Sequence, residues 1–127
     1  MKNIKYQIAC YIFLAIACIS CIEWNDHNIN ISIKEKRDYY QFNASFSKYK
    51  TAEVQYYINK SISPNDFFTS PHDHIDVFQE LNDGTKFHLK SSPGKLKIRL
   101  DKRENSEASY LRIKDMCEGL KGVLAEK

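Results

Sequence analysis

The sequence predicts an α+β fold, in which an antiparallel sheet of about five strands has two helices packed on one face. Three observations lead to this prediction. Several segments alternate apolar and polar residues, which is typical of half-buried strands. Turn residues that include glycine separate the segments within residues 75–101. Near the C-terminus, apolar residues recur every three or four positions, as they do on an amphipathic helix.

The residues before this domain have the pattern of a signal segment. Lys2 and Lys5 give a short positive start, and residues 8–20 carry no charge. This apolar run has the length of a signal-peptide core and is too short to span a bilayer comfortably. The sequence therefore predicts a signal peptide over residues 1–20, a tether over 21–28 and a single α+β domain over 29–127.

The signal segment resembles that of a bacterial membrane lipoprotein precursor, whose first mature residue is a cysteine carrying lipid on its sulfur. The resemblance rests on Cys21, which directly follows the small residue Ser20. The segment departs from the family pattern three residues before that cysteine, where an aliphatic residue is usual and this chain has Cys18. The resemblance implies lipidation at Cys21 and a place in the cell envelope, anchored to a membrane and facing the periplasm or the exterior.

Two other interpretations of the segment remain open. Cleavage by an ordinary signal peptidase after Ala15-Ile16-Ala17 would leave Cys18 at the N-terminus, and the protein would then be secreted and soluble. Cys18 is also the alternative residue for lipidation. An uncleaved anchor would use residues 4–22. A buried helix over residues 8–19 is disfavoured, because the rest of the chain is too small to surround a helix that is apolar on every side.

Two alternating segments open the domain. The first has isoleucine at positions 29, 31 and 33, and the second has apolar residues at positions 40, 42, 44 and 46. Both patterns predict strands, and the charged residues 34–38 connect them as a hairpin.

Residues 51–62 favour a helix. Thr51 is a candidate N-cap, and Glu53 puts a negative charge in the first turn, where it suits the helix dipole. Apolar residues at positions 54, 57, 58 and 62 have helical spacing, which predicts a helix over 52–62. The alternation of positions 54, 56 and 58 leaves a strand as the alternative.

Residues 75–101 predict a meander of three strands, at 75–81, at 85–90 and at Lys95–Asp101. The turn Asn82-Asp83-Gly84 carries the Asp-Gly hairpin signature, and residues 91–94 form the second turn.

A final helix follows, capped by Asn105 or Ser106, with an apolar stripe at positions 110, 113, 117, 120 and 124. Gly119 and Gly122 each weaken it by roughly 1 kcal/mol relative to alanine. They either allow close approach to the sheet or mark fraying.

Charge and cysteine content narrow the function classes. Without Lys2 and Lys5, 17 of the 19 basic residues remain against 16 acidic ones, and this net charge of +1 does not indicate a nucleic-acid partner.

With Cys21 lipidated, Cys117 has no disulfide partner, and its place in the apolar stripe predicts a small core residue. The sequence has no Gly-x-Ser-x-Gly elbow, no glycine-rich phosphate loop and no His-Glu-x-x-His motif. We therefore predict a non-catalytic protein without a cofactor.

The histidines His72 and His74, with Asp76, form the one cluster that has metal-ligand chemistry. Side chains at i and i+2 point to the same side of an extended backbone, so both imidazoles can reach one ion. A zinc site needs a third ligand, which Asp66 or His27 can supply. A metal-binding protein or metal-dependent enzyme is accordingly the alternative function, whereas polar loop residues explain the same segment without a metal.

Two candidate binding surfaces remain. Lys95, Lys97 and Arg99 alternate with apolar residues at positions 96, 98 and 100, which puts the cations on the opposite face of the strand. That face is either solvated or a docking surface for an acidic protein or anionic lipid headgroups. Phe67 and Phe68 lie in a predicted loop, where they either fill the bottom of the core or form an exposed contact.

These observations favour a small membrane-anchored envelope lipoprotein that acts as a binding or accessory module, such as a toxin-neutralising or assembly-related protein. Its expected partners are the membrane, through the lipid anchor, and a protein with an acidic surface. A purely structural envelope component is a further alternative.

The lipid anchor gives a first prediction. Replacing Cys21 with serine removes the sulfur that would carry the lipid, so the Cys21→Ser chain should remain an unprocessed precursor without diacylglycerol label. Metabolic labelling with a radioactive fatty acid measures this. Labelling that persists in Cys21→Ser and is lost in Cys18→Ser would move the modified residue to Cys18.

Overall fold

The computed structural model describes residues 29–63, 68 and 70–125 and shows a five-stranded antiparallel sheet with two helices. The strands are β1 (Asn30–Glu35), β2 (Tyr39–Ser45), β3 (Ile75–Glu80), β4 (Lys86–Ser92) and β5 (Lys95–Asp101). The helices are α1 (Thr51–Ile62) and α2 (Glu107–Ala125), each preceded by a short 3₁₀ turn. The predicted fold class is confirmed, whereas the predicted signal peptide and tether lie outside the described residues.

Strand β5 occupies the centre of the sheet. The strand order is β1-β2-β5-β4-β3, so β5 pairs with β2 on one side and with β4 on the other. Ile98 marks the register, because it lies opposite Phe42 on β2 and opposite Leu89 on β4. The N-terminal hairpin and the C-terminal meander are therefore joined along one ladder, between β2 and β5.

The apolar core lies on the side of the sheet that the helices cover. Phe42, Leu89 and Ile98 are fully buried, and they form one cluster with apolar residues from both helices. Cys117 of α2 belongs to this cluster and is a core residue, as predicted. Burial raises the pKa of its thiol, so the side chain stays protonated and is a poor nucleophile at neutral pH.

Several element boundaries differ from the prediction. The β1–β2 hairpin forms, but its connection is residues 36–38, because Lys34 and Glu35 continue the ladder as partners of β2. Strand β4 extends to Ser92, because the turn to β5 needs only two residues, Pro93 and Gly94.

The α1 helix is confirmed, but the prediction that Thr51 caps it is wrong. The helix begins at Thr51 itself, and Lys50 precedes it without a side-chain cap. The Thr51 hydroxyl instead accepts a hydrogen bond of 2.9 Å from the backbone N–H of Gly94. Gly94 has a φ of +78°, and a Cβ there would approach the carbonyl oxygen of Phe46 to 2.8 Å. The β4–β5 turn is thus fastened to the segment that leads from β2 into α1, and only glycine fits it.

Of the two cap candidates for α2, Ser106 is the one that caps. Its hydroxyl accepts a hydrogen bond of 3.1 Å from the backbone N–H of Ser109. Asn105 has a different role, because its side-chain amide bonds both the N–H and the C=O of Lys86 at the start of β4. Ser106 therefore begins the helix, and Asn105 attaches the start of the helix to the sheet.

The two glycines of α2 differ in their surroundings. A Cβ at Gly119 would overlap the hydroxyl and ring of Tyr57 on α1, whereas a Cβ at Gly122 would meet nothing within 4 Å. The close approach at Gly119 is therefore to the other helix, not to the sheet.

This difference gives a second prediction. Gly122→Ala should stabilise the domain by about 0.5–1 kcal/mol, because alanine loses less backbone entropy in a helix. Gly119→Ala has the same helix propensity gain but displaces Tyr57, so it should unfold at lower urea concentration than Gly122→Ala. Urea unfolding followed by circular dichroism measures both variants. Equal stabilisation by the two substitutions would show that the Tyr57 contact is dispensable.

Candidate docking face on the open side of the sheet

The side of the sheet opposite the helices carries polar side chains on every strand. We call this surface the open face. Its members, ordered from the β1 edge to the β3 edge, are Asn30, Ser32 and Lys34; Tyr39, Gln41, Asn43 and Ser45; Lys95, Lys97, Arg99 and Asp101; Lys86, His88, Lys90 and Ser92; Asp76, Phe78 and Glu80.

The centre of the open face is a column of three cations on β5. Lys95, Lys97 and Arg99 occupy alternate positions, and the residues between them are at most 3% exposed. The predicted separation of charged and apolar residues on this strand is therefore confirmed. Alternate side chains on one face of a strand are about 6.6 Å apart along its axis.

The strands beside β5 give the column two different flanks. On β2, the neutral residues Ser45, Asn43 and Gln41 lie opposite Lys95, Lys97 and Arg99 in turn. On β4, the residues that lie opposite the same three cations are Ser92, Lys90 and His88. Each cation therefore has a hydrogen-bonding neutral neighbour on one side, and the central one has a second lysine on the other.

Arg99 is held in place by two contacts. Its Nη1 donates a hydrogen bond of 2.9 Å to Oε1 of Gln41, and its guanidinium carbon lies 3.9 Å from the ring centroid of Tyr39. The hydrogen bond to Gln41 uses one of the five guanidinium N–H donors of Arg99.

Lys90 and Lys97 form a like-charge pair, since they lie directly opposite each other in the β4–β5 ladder. Like charges at such positions destabilise a sheet. Within the described part of the chain, no carboxylate forms an ion pair with Lys90, Lys95 or Lys97. Cations near the helices behave differently, as Lys102 and Lys114 both pair with Glu35.

The β3 side of the open face is built around His88. Its Nε2 lies 2.5 Å from Oδ1 of Asp76, and this hydrogen bond lowers the pKa of the Asp76 carboxyl. The charges of Lys90 and Lys97 lower it further. Phe78 stacks on the His88 ring with centroids 6.4 Å apart and is 66% exposed. An apolar ring therefore borders the cationic centre of the face.

The strand ends nearest the start of β1 enclose a shallow recess of about 380 Å³. Neighbouring strands contribute to its lining, which includes Ser32, Asn43, Ser45, Lys90, Lys95 and Lys97. Among the residues that line it there is no carboxylate. The recess therefore suits an anionic group that also accepts hydrogen bonds.

The structure also locates the other candidate residues. Phe68 is half-buried and packs against the core, which favours the core interpretation of this residue, while Phe67 lies outside the described residues. His72 and His74 are exposed, and Asp76 binds His88 rather than joining them. Among the described residues, no group of three potential metal ligands occurs. Asp66 and His27 lie outside that part of the chain.

The sequence interpretation missed Gln41, Asn43 and His88 as members of the face. Their alternation with apolar residues puts each of them on the polar side of its own strand, which is a visible signal. Their position beside Arg99 and Lys97 depends on the pairing of β5 with β2 and β4, which no local pattern specifies.

Comparisons with known proteins leave the face to be interpreted from its own geometry. Family models, curated proteins and solved structures gave no significant match. In the part of the chain that the structure describes, neither helix has the length and apolarity needed to cross a membrane.

The like-charge pair gives a third prediction. Lys97→Gln removes the repulsion from Lys90 and should raise the free energy of unfolding by about 0.2–1 kcal/mol at low ionic strength. The gain should shrink in about 0.5 M salt, where charge interactions are screened. Lys34→Gln is the matched control, because Lys34 lies on the same face opposite the neutral Gln41. Urea unfolding at the two salt concentrations measures this, and a Lys97→Gln variant that is less stable than Lys34→Gln at low salt would contradict it.

Proposed function

We propose that this protein is a small envelope lipoprotein, anchored to a membrane through Cys21, and that it acts as a non-catalytic binding module. Its open face docks a protein partner that presents an acidic surface. The observation that carries the proposal is the column of Lys95, Lys97 and Arg99 at the centre of an uncovered sheet face, with no ion pair to these cations among the described residues.

The charge distribution suits recognition of an acidic surface. Six cationic side chains lie on the open face, against three carboxylates. Asp76 and Glu80 are on the edge strand β3, and Asp101 is at the end of β5, where it pairs with Arg103. Complementary charge of this kind accelerates association and disfavours wrong partners more than it adds affinity. The neutral β2 residues add hydrogen-bonding groups without further charge, and Phe78 adds exposed apolar area at the rim.

The distance to the proposed anchor supports a membrane-associated partner. Asn30 begins β1 and lines the recess, so residues 22–29 connect the recess end of the face to Cys21. Eight residues span at most about 30 Å when fully extended. A lipid on Cys21 would therefore keep the recess end of the face within that distance of the membrane and raise its local concentration for a partner there.

The fourth prediction tests the face by charge reversal. Lys97→Glu with Arg99→Glu should fold, because Arg99 is exposed, Lys97 is half-exposed, and surface substitutions typically change stability by less than about 0.5 kcal/mol each. The double variant should bind the partner at least about tenfold more slowly, and salt should weaken the wild-type complex. The partner is first isolated from envelope extracts with the full chain, and association is then measured by surface plasmon resonance.

The matched control for this experiment changes the net charge by the same amount, at two positions outside the open face. Arg37→Glu with Lys60→Glu reverses one exposed cation in the β1–β2 connection and one on α1, and it should associate at close to the wild-type rate. Docking on the open face would be refuted by an association rate that is unchanged by the Lys97/Arg99 reversal and by salt. It would also be refuted by a rate that falls equally in the control.

A further inference from the structure

The cations of β5 have the spacing of side chains on an extended peptide. Lys95, Lys97 and Arg99 recur every two residues, at intervals of about 6.6 Å. Alternate residues of an extended segment on a partner project from one side at the same interval. A segment with carboxylates at alternate positions can therefore place each of them beside a separate cation of the column.

Each cation also has its own neutral neighbour on β2. The pairs are Lys95 with Ser45, Lys97 with Asn43 and Arg99 with Gln41. A carboxylate has two oxygens, so it can accept from the cation and from a hydroxyl or amide beside it. The Gln41 pair is already ordered, because the Gln41 side chain fixes Arg99 through a 2.9 Å hydrogen bond.

The central position of the column has the highest local positive charge, because a second lysine lies beside it. Lys97 lies opposite Lys90, and both line the recess. Asp76 lies opposite Lys90 on its other side, but its Oδ1 is bound by His88 at 2.5 Å. An incoming carboxylate between the two ammonium groups would replace their repulsion with two attractions.

We infer that the open face recognises an extended acidic segment of its partner, with Asp or Glu at three alternate positions and the middle carboxylate seated between Lys97 and Lys90. This inference rests on the proposed function and adds to it the conformation and charge spacing of the partner. A bilayer of anionic lipids supplies negative charge without a fixed spacing, so headgroups would not use the repeat.

Two peptides of equal composition and charge test the spacing. Ser-Glu-Ser-Glu-Ser-Glu-Ser puts three carboxylates on one side of an extended chain, and Ser-Ser-Glu-Glu-Glu-Ser-Ser puts at most two there. The full chain, labelled with ¹⁵N in a zwitterionic detergent, is titrated with each peptide by NMR. We expect the alternating peptide to bind about fivefold more tightly. Its amide shifts should concentrate on Asn43, Lys90 and Lys97.

Variants assign the effect to the column. Lys95→Gln leaves Lys97 and Arg99, which either peptide can match with two carboxylates, so it should abolish the difference between the two peptides. Lys34→Gln, on the same face but outside the column, should preserve it. Equal affinity of the two peptides for the wild-type chain would overturn the inference and leave only general charge attraction. That result differs from failure of the proposed function, in which reversal of Lys97 and Arg99 leaves partner binding unchanged.

Vesicles separate a protein ligand from a lipid one. The full chain is reconstituted in phosphatidylcholine, with and without about one-third phosphatidylglycerol, and titrated again with both peptides. The anionic membrane repels two peptides of equal charge equally, so we expect the preference for the alternating peptide to be the same in the two membranes. Loss of that preference in the anionic vesicles would assign the face to headgroups and overturn the inference.

Discussion

The pairing of β5 with both β2 and β4 is the interaction on which the rest of the structure depends. One register along this strand positions Ile98 between Phe42 and Leu89 in the core, and Lys97 between Asn43 and Lys90 on the open face. Because side chains alternate, a slip of one residue would bury lysines and expose the apolar residues. Burial of the core therefore also fixes the arrangement of the charges.

A face built on central strands differs from a site built on loops. The backbone of β5 is bonded on both sides, so its cations are displayed from a rigid base, and Arg99 is further restrained by Gln41 and Tyr39. A prepared surface loses less conformational entropy on binding than a mobile one. The opposite side of the sheet makes this possible, because there the two helices cover the apolar side chains of the strands.

Much of the fold could be read from local patterns, and the site only in part. Alternation located β5 and its cations, and helical spacing located α1 and α2, since both signals depend on residues close in sequence. The roles of Thr51, Gly119 and Asn105 depend on contacts with distant elements: the Gly94 turn, Tyr57 and β4. For the same reason the sequence indicated the charged column but not its neutral flank on β2.

The strand order also has a consequence for the way the chain folds. The β1–β2 hairpin and the β3–β4–β5 meander form from contacts that are local in sequence, whereas the pairing of Ser45 with Lys95 closes a loop of about 50 residues. Until that slow step occurs, β5 is an unpaired edge with three large aliphatic side chains. Such an edge invites association with another copy. Lys95, Lys97 and Arg99 would oppose that association by mutual repulsion, so the column that we assign to recognition would also protect this strand from aggregation.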